Sequence, residues 1–204
     1  MERMPVLPVT VGLDMSYTAT GFCLKDGADV LLKTIKTKPA DFDNDLDRMN
    51  HIVACVMKNI PQNVTLICIE DYFVPQSKQQ FNAAIKLIGL GVLMRNCLYA
   101  AKLPFIVVSP NQLKKFATSK GNVGKGIVIR EVYRKWAVEC KDDNQADACA
   151  LAYMARVCAY LKKTVLASEF ASYQIDICKK ILSERPSYNM SYFLEQVRIA
   201  SSTR

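Results

Sequence analysis

The sequence has one histidine, His51. A lone imidazole on a predicted helix gives no support to a Ser-His-Asp nucleophile arrangement. It also has no C-x-x-C pair. Cys23, Cys55, Cys68, Cys97, Cys140, Cys149, Cys158 and Cys178 are scattered along the chain. That spacing excludes a zinc ribbon or a disulfide framework, and several of these thiols stand in apolar runs where cysteine acts as a small hydrophobe. With no secretory leader apparent, the expected setting is reducing and cytoplasmic. The longest apolar stretches, such as 85–93, are interrupted and too short to span a bilayer. Repeats and low-complexity linkers are missing too. Acids are scarce, 19 against 27 lysines and arginines, which leaves a net charge of +8. Such a surface attracts polyanions, nucleic acid among them.

What is there suits one globular domain with an appendage: 204 residues, half of them hydrophobic. A short β-rich run over 9–13 ends at Asp14. Runs at 21–25 and 30–35 follow, separated by a loop carrying Asp26-Gly27, the signal of a hairpin. Leu46, Met49, Ile52, Val53 and Val56 recur at helical spacing, so the pattern predicts an amphipathic helix over about 43–59. The apolar run 64–69 reads as a central buried strand, with Glu70 at its carboxyl end. A long helix is expected over 78–101, a strand over 104–108, and a short helix opened by Ser109-Pro110. A glycine-rich basic loop, 120–126, leads into a helix over 127–138, and another helix runs over 143–161. Strands first, then strands alternating with helices, predict an α/β fold: a mixed sheet with helices on its faces. Beyond residue 161, Val165, Phe170, Tyr173, Ile177 and Ile181 suggest one helical packing stripe, broken by Pro186.

Four carboxylates stand where elements begin or end. Asp14 and Glu70 each close a buried strand, and they converge if those strands are neighbours, because ligands gather beyond the carboxyl ends of strands in α/β sheets. Asp143 and Asp147 are four apart and share a helix face. Each has a plainer reading. Asp142 or Asp143 can cap the helix, with Gln145 completing a box-like pattern. Asp147 interrupts the apolar run 146–152, where an unpaired carboxylate is costly, and Glu70 poses the same question after 66–69. Taken together they suggest a cluster filled by hard cations, which take oxygen ligands. Two ions roughly 3.5–4 Å apart suit phosphodiester hydrolysis.

These residues resemble a known family. Val11-Gly12-Leu13-Asp14-Met15-Ser16, with Thr20-Gly21-Phe22 after it, is similar to the first motif of the RuvC-type Holliday junction resolvases of the RNase H-like superfamily. Ile67-Cys68-Ile69-Glu70-Asp71-Tyr72-Phe73 resembles the second. Residues 144–152 resemble the last, an acid-bearing helix. The set covers about residues 6–160, and its departures elsewhere suggest a phage- or virus-encoded relative, hence a host-cell cytoplasm. The resemblance implies an RNase H-like nuclease domain over 1–161 and a helical C-terminal extension over 162–204.

It further implies metal ligands at Asp14, Glu70 and Asp147, holding two Mg²⁺ ions or Mn²⁺. The family's fourth acid falls on Asn144 here; Asp143, one turn before Asp147, is the preferred substitute. Asp71 should point away from Glu70 along a strand. Phe73, with Tyr72 beside it, matches the aromatic residue that wedges into the junction; core packing is the alternative. From Lys102 to Lys141 there are nine basic residues and two acids. Lys114 and Lys125 align with lysines near the scissile phosphate, and Lys115, Lys120 and Arg130 join them as DNA contacts, although a solvated helix face would also explain Arg130, Arg134 and Lys135. The loop 121–126 is not a Walker A motif: its spacing is too short and no Ser or Thr follows Lys125. The expected activity is a homodimeric, structure-selective endodeoxyribonuclease acting on four-way or other branched DNA and leaving 5′-phosphate and 3′-hydroxyl ends. Two rivals stand beside it: a non-catalytic junction-binding relative, and an actin- or sugar-kinase-like phosphotransferase.

Overall fold

Two buried faces of one sheet organise the molecule. In the computed structural model, which describes residues 7–72, 78–124, 126–162, 169–184 and 187–188, six strands run in the order β3-β2-β1-β4-β5-β6. β1 (Thr10–Asp14), β4 (Leu66–Glu70) and β5 (Phe105–Val108) are parallel; β2 (Ala19–Asp26), β3 (Asp29–Lys36) and the two-residue β6 (Ser187–Tyr188) are antiparallel to their neighbours. The expected mixed α/β sheet is present, and the strand boundaries shift by at most two residues. The hairpin turns at Gly27, whose φ of 53° is the left-handed conformation that glycine adopts cheaply.

The strands alternate strictly. Val11, Leu13, Ile67 and Ile69 face α1 (Asp45–Asn59) and α2 (Lys78–Ala100), burying Ile52, Val56, Leu90 and Met94 beneath them. Leu66 and Cys68 face the other way, toward α3 (Pro110–Thr118), α4 (Ile127–Trp136), α5 (Asp143–Lys162) and α6 (Ser172–Glu184). Since side chains one residue apart on a strand point to opposite faces, Asp14 and Glu70 share the α5 face.

α5 is the central helix, buried on nearly every side from Gln145 to Tyr160. Small residues let it press directly on the sheet. A Cβ on Gly12 would lie 2.0 Å from the Ala148 carbonyl oxygen, and one on Gly21 would lie 2.1 Å from that of Asn144. The Thr10 hydroxyl donates to the Ala152 carbonyl at 2.9 Å. A side chain at position 12 or 21 would force α5 outward.

The C-terminal stripe differs from expectation. α6 buries Gln174, Cys178 and Ile181, while Tyr173 and Ile177 are only half-buried; Val165 lies outside the described residues. Gln174 turns inward because its amide is satisfied, donating to the Phe116 carbonyl at 3.1 Å and accepting from the Ala171 amide. α6 packs on α3 and α5, and β6 adds an edge to the sheet beside β5. All eight cysteines are free, and among the described residues no helix is long and apolar enough to cross a membrane.

Candidate active site

β1 and β4 are adjacent and parallel, with Leu13 opposite Ile69. Their last residues, Asp14 and Glu70, therefore emerge side by side on the α5 face. Asp147, in the second turn of α5, meets them there. One carboxylate oxygen from each of the three lies within 4.8 Å of the others. The helix presents Asp147 between the fully buried Ala146 and Ala148, so its carboxylate points into the protein-lined cleft instead of bulk water.

Three half-buried carboxylates this close resist ionising together. Burial pushes the Asp147 carboxyl up to about 7, and the charges of Asp14 and Asp143 add to that, against the pull of Lys114. Asp14 is raised by burial, and Glu70 is raised further by burial and by the charges of Asp14 and Asp147. Without a cation, Glu70 keeps its proton and donates it in a hydrogen bond to Asp14. The donor set fits a hard divalent ion: all oxygen, acidic, and short of positive charge.

The turn before Asp147 divides its acids between two jobs. Asp142 is the cap: its carboxylate accepts from the Gln145 amide at 2.9 Å and from the Thr34 hydroxyl at 3.0 Å. Gln145 completes the arrangement by accepting from the Lys141 amide and donating to Thr34. Asp143 is exposed and outside the group of three, but its charge raises both Asp14 and Asp147. Asn144 sets its backbone against Gly21 and lines a cleft of about 420 Å³ with Lys114, Gly124, Gly126, Asp143 and Asp147.

Asp71 faces away from Glu70, as strand alternation predicts, and pairs with Arg95 of α2 at 2.8 Å. The Arg95 guanidinium lies 4.9 Å from the centre of the half-buried Tyr72 ring. Arg95 is a residue that sequence reasoning missed; its signal was a single charge within the apolar stretch from Leu87 to Leu98 of α2. Lys114 reaches the acidic centre. Lys115 faces a different cleft, between α3 and α6, with Ile177 and Lys180. Lys120 is exposed, and Arg130 is exposed beside Glu131 at 3.7 Å. Glu131 also holds Arg134 and Lys135, each at 2.9 Å, so this basic face is partly neutralised by its own buried acid. Phe73 and Lys125 lie outside the described residues. His51 is exposed, its ring 5.2 Å from that of Phe42 and its Nε2 3.5 Å from Cys55 Sγ.

No protein-family model matches the sequence, and no curated protein matches it. Solved structures do. RuvC of Thermus thermophilus aligns with a TM-score of 0.57 at 20% identity, covering 77% of this chain and 97% of that one. The same organism's RuvC in complex with a Holliday junction substrate gives 0.58 at 19%, covering 77% and 96%. The yeast mitochondrial Holliday junction resolvase Ydc2 gives 0.50 at 12%, covering 86% of each chain. The chain therefore has the RuvC-type, RNase H-like fold.

Proposed function

We propose that this protein is a metal-dependent, structure-selective endodeoxyribonuclease that resolves Holliday junctions and related branched DNA. The observation that carries the reading is the convergence of Asp14, Glu70 and Asp147 within 4.8 Å at the strand ends of this fold. Those three, with Asp143 as the fourth acid, would hold two Mg²⁺ or Mn²⁺ ions. Cations bound there supply charge stabilisation at the phosphodiester and lower the pKa of water for in-line attack, leaving 5′-phosphate and 3′-hydroxyl ends.

The chain's own groups do the rest. Asp14, Glu70 and Asp147 would hold the cations. Lys114, on the far wall of the cleft, neutralises phosphate charge next to Asp147, and Lys125 joins it. The glycine loop, with Gly126 at a φ of 82° as the N-cap of α4, lets backbone approach a phosphate closely. Phe73 and Tyr72 engage the distorted bases, and Lys115, Lys120 and Arg130 hold the DNA backbone outside the cleft.

A homodimer would pair two such sites for symmetric nicks. Phe81, Ile85, Val92 and Tyr99 stand exposed along α2 at spacings of four, seven and seven, the repeat that a second copy of α2 would cover. Val92→Glu should leave a folded monomer by light scattering.

The decisive test is nicking of a labelled four-way junction against matched duplex, with Mg²⁺, Mn²⁺ or EDTA. Paired, metal-dependent nicks confined to the junction, lost in Asp147→Asn while binding persists, are expected. Binding without cutting under either metal would instead support the non-catalytic relative.

A further inference from the structure

The charge of the molecule reverses sign at one place. A cleft of about 470 Å³ opens between the first half of β3 and the connector from α4 to α5. Its lining holds two carboxylates, Asp29 and Glu139, both exposed, and no lysine or arginine. In a chain of net charge +8, such a cleft repels the polyanion that the net charge attracts. The floor is apolar. Val30 and Leu32 are half-buried on the α5 face of the sheet, beside Trp136 and Tyr153, whose rings stack with their centres 4.1 Å apart. Alanine and valine complete the lining. Lys25, 5.5 Å from the centre of the Tyr153 ring, is buried and donates to the Gly27 carbonyl at 2.7 Å, so its charge is already engaged.

Beside this cleft runs an open strand edge. β3 is the terminal strand of the sheet, eight residues long, and among the described residues no strand pairs with its outer side. Proteins usually shorten, charge or cover such an edge, because its unpaired N–H and C=O groups invite another chain. Lys33 and Lys36 guard the second half of β3; the first half, beside the cleft, carries no lysine. The connector turns at Ala137, the left-handed C-cap of α4 with a φ of 54°, and its Val138 and Glu139 form the other wall. Thr10 pairs with Lys25, and Lys25 with Val30, so the cleft lies toward the strand end away from Asp14.

We infer that this edge and cleft dock an extended basic segment of a partner protein, which adds to the sheet beside β3 and seats side chains over Val30, Leu32 and Trp136. Strand addition draws affinity from the main chain and selectivity from alternate side chains. The exposed carboxylates of Asp29 and Glu139 select lysine or arginine. The stacked rings and aliphatic floor select an apolar residue at the next inward position, two residues along a strand. Basic extended arms are common on proteins that work on nucleic acid. A partner held here leaves the acidic centre, at the opposite strand ends, open to its own substrate.

Trp136 is the chain's only tryptophan, so its fluorescence reports occupancy without a label. The probe is a synthetic peptide matched to the eight residues of β3, with threonine at every second position and lysine and valine in turn between them. Its counterpart carries glutamate in place of lysine. The lysine peptide should shift Trp136 emission, slow hydrogen exchange across β3, and bind more tightly than the glutamate peptide. In the double variant Asp29→Lys/Glu139→Lys its affinity should fall about tenfold, the scale of two exposed ion pairs. The glutamate peptide should gain affinity for the same variant, which also shows that the variant is folded. Both readouts are taken without DNA or metal, so they stand apart from nuclease activity. Equal binding of the two peptides, no binding of either, or a Trp136 response without slower exchange in β3 would overturn the docking site. So would a concentration-dependent dimer that the double variant dissociates, since a second copy of this chain would then be the occupant.

Discussion

Asp147→Asn separates what the acidic centre costs from what it does. In metal-free protein the Asp147 carboxyl sits near 7 instead of its ordinary 3.8, because burial strips its water and Asp14 and Asp143 repel it. At about 1.4 kcal/mol per pH unit, keeping this group ionised costs the fold up to about 4 kcal/mol. Allowing for its partial exposure, about 2 kcal/mol is the working figure. The sign follows from the direction of the shift. A carboxyl raised on folding contributes stability that is complete below its unfolded pKa, near 4, and is lost as pH rises through about 7. Metal-free wild type should therefore melt at falling temperature from about pH 4 to about pH 7, and the asparagine variant should flatten that slope. At the upper pH the variant should melt roughly 4–8 °C above wild type, given the size of the chain, while near pH 4 the two should agree closely. Added Mg²⁺ or Mn²⁺ should reverse the order, since only the intact site gains the full stabilisation of a bound cation. Differential scanning calorimetry in EDTA across that pH range is the assay. A variant with no stability gain at the upper pH would mean that Asp147 ionises without cost, and the electrostatic account of the cluster would be wrong.

Other consequences follow from the packing of α5 and the charge around it. Gly12→Ala puts a methyl group 2.0 Å from the Ala148 carbonyl oxygen and should cost about 3 kcal/mol or more in urea unfolding, with metal-dependent activity falling alongside. Asp142→Ala removes the cap of α5 but no member of the acidic triad; a loss of about 1 kcal/mol with cutting largely retained would fit, and abolished metal binding would contradict the assignment. Lys114→Ala should lower the slope of log affinity against log salt by about one phosphate contact, measured by junction titration over a range of salt concentrations.

The strand ends were legible because pleat alternation is rigid. Once the runs closing at Asp14 and Glu70 are taken as neighbouring parallel strands, both carboxylates have to share a face, and Asp71 has to leave it. Asp147 was legible because it interrupts an apolar helix that buries Ala146 and Ala148 completely. Features settled by tertiary contacts were not. Gln174 is buried because the Phe116 carbonyl accepts its amide proton, and no count of apolar spacing anticipates a polar residue satisfied by a partner 58 positions away. Tyr173 and Ile177 consequently looked more central to the α6 stripe than they are. β6 is two residues long, too short to carry a period. Arg95 is held by Asp71 and Tyr72, a partnership visible only once α2 is folded against the loop after β4.

The fourth acid shows the same limit in finer detail. Residues 142, 143 and 144 occupy one turn, so spacing alone cannot rank them as partners of Asp147. The fold ranks them by what each is already doing. Asp142 is drawn off by Thr34 and the Gln145 amide. Asn144 is committed through its backbone, which presses on Gly21 as tightly as a glycine allows. Asp143 remains, a carboxylate in the same cleft as Lys114 and Asp147 whose charge is felt by both Asp14 and Asp147. Asp142 is the cap, and Asp143 is the neighbouring acid that we propose as the fourth ligand.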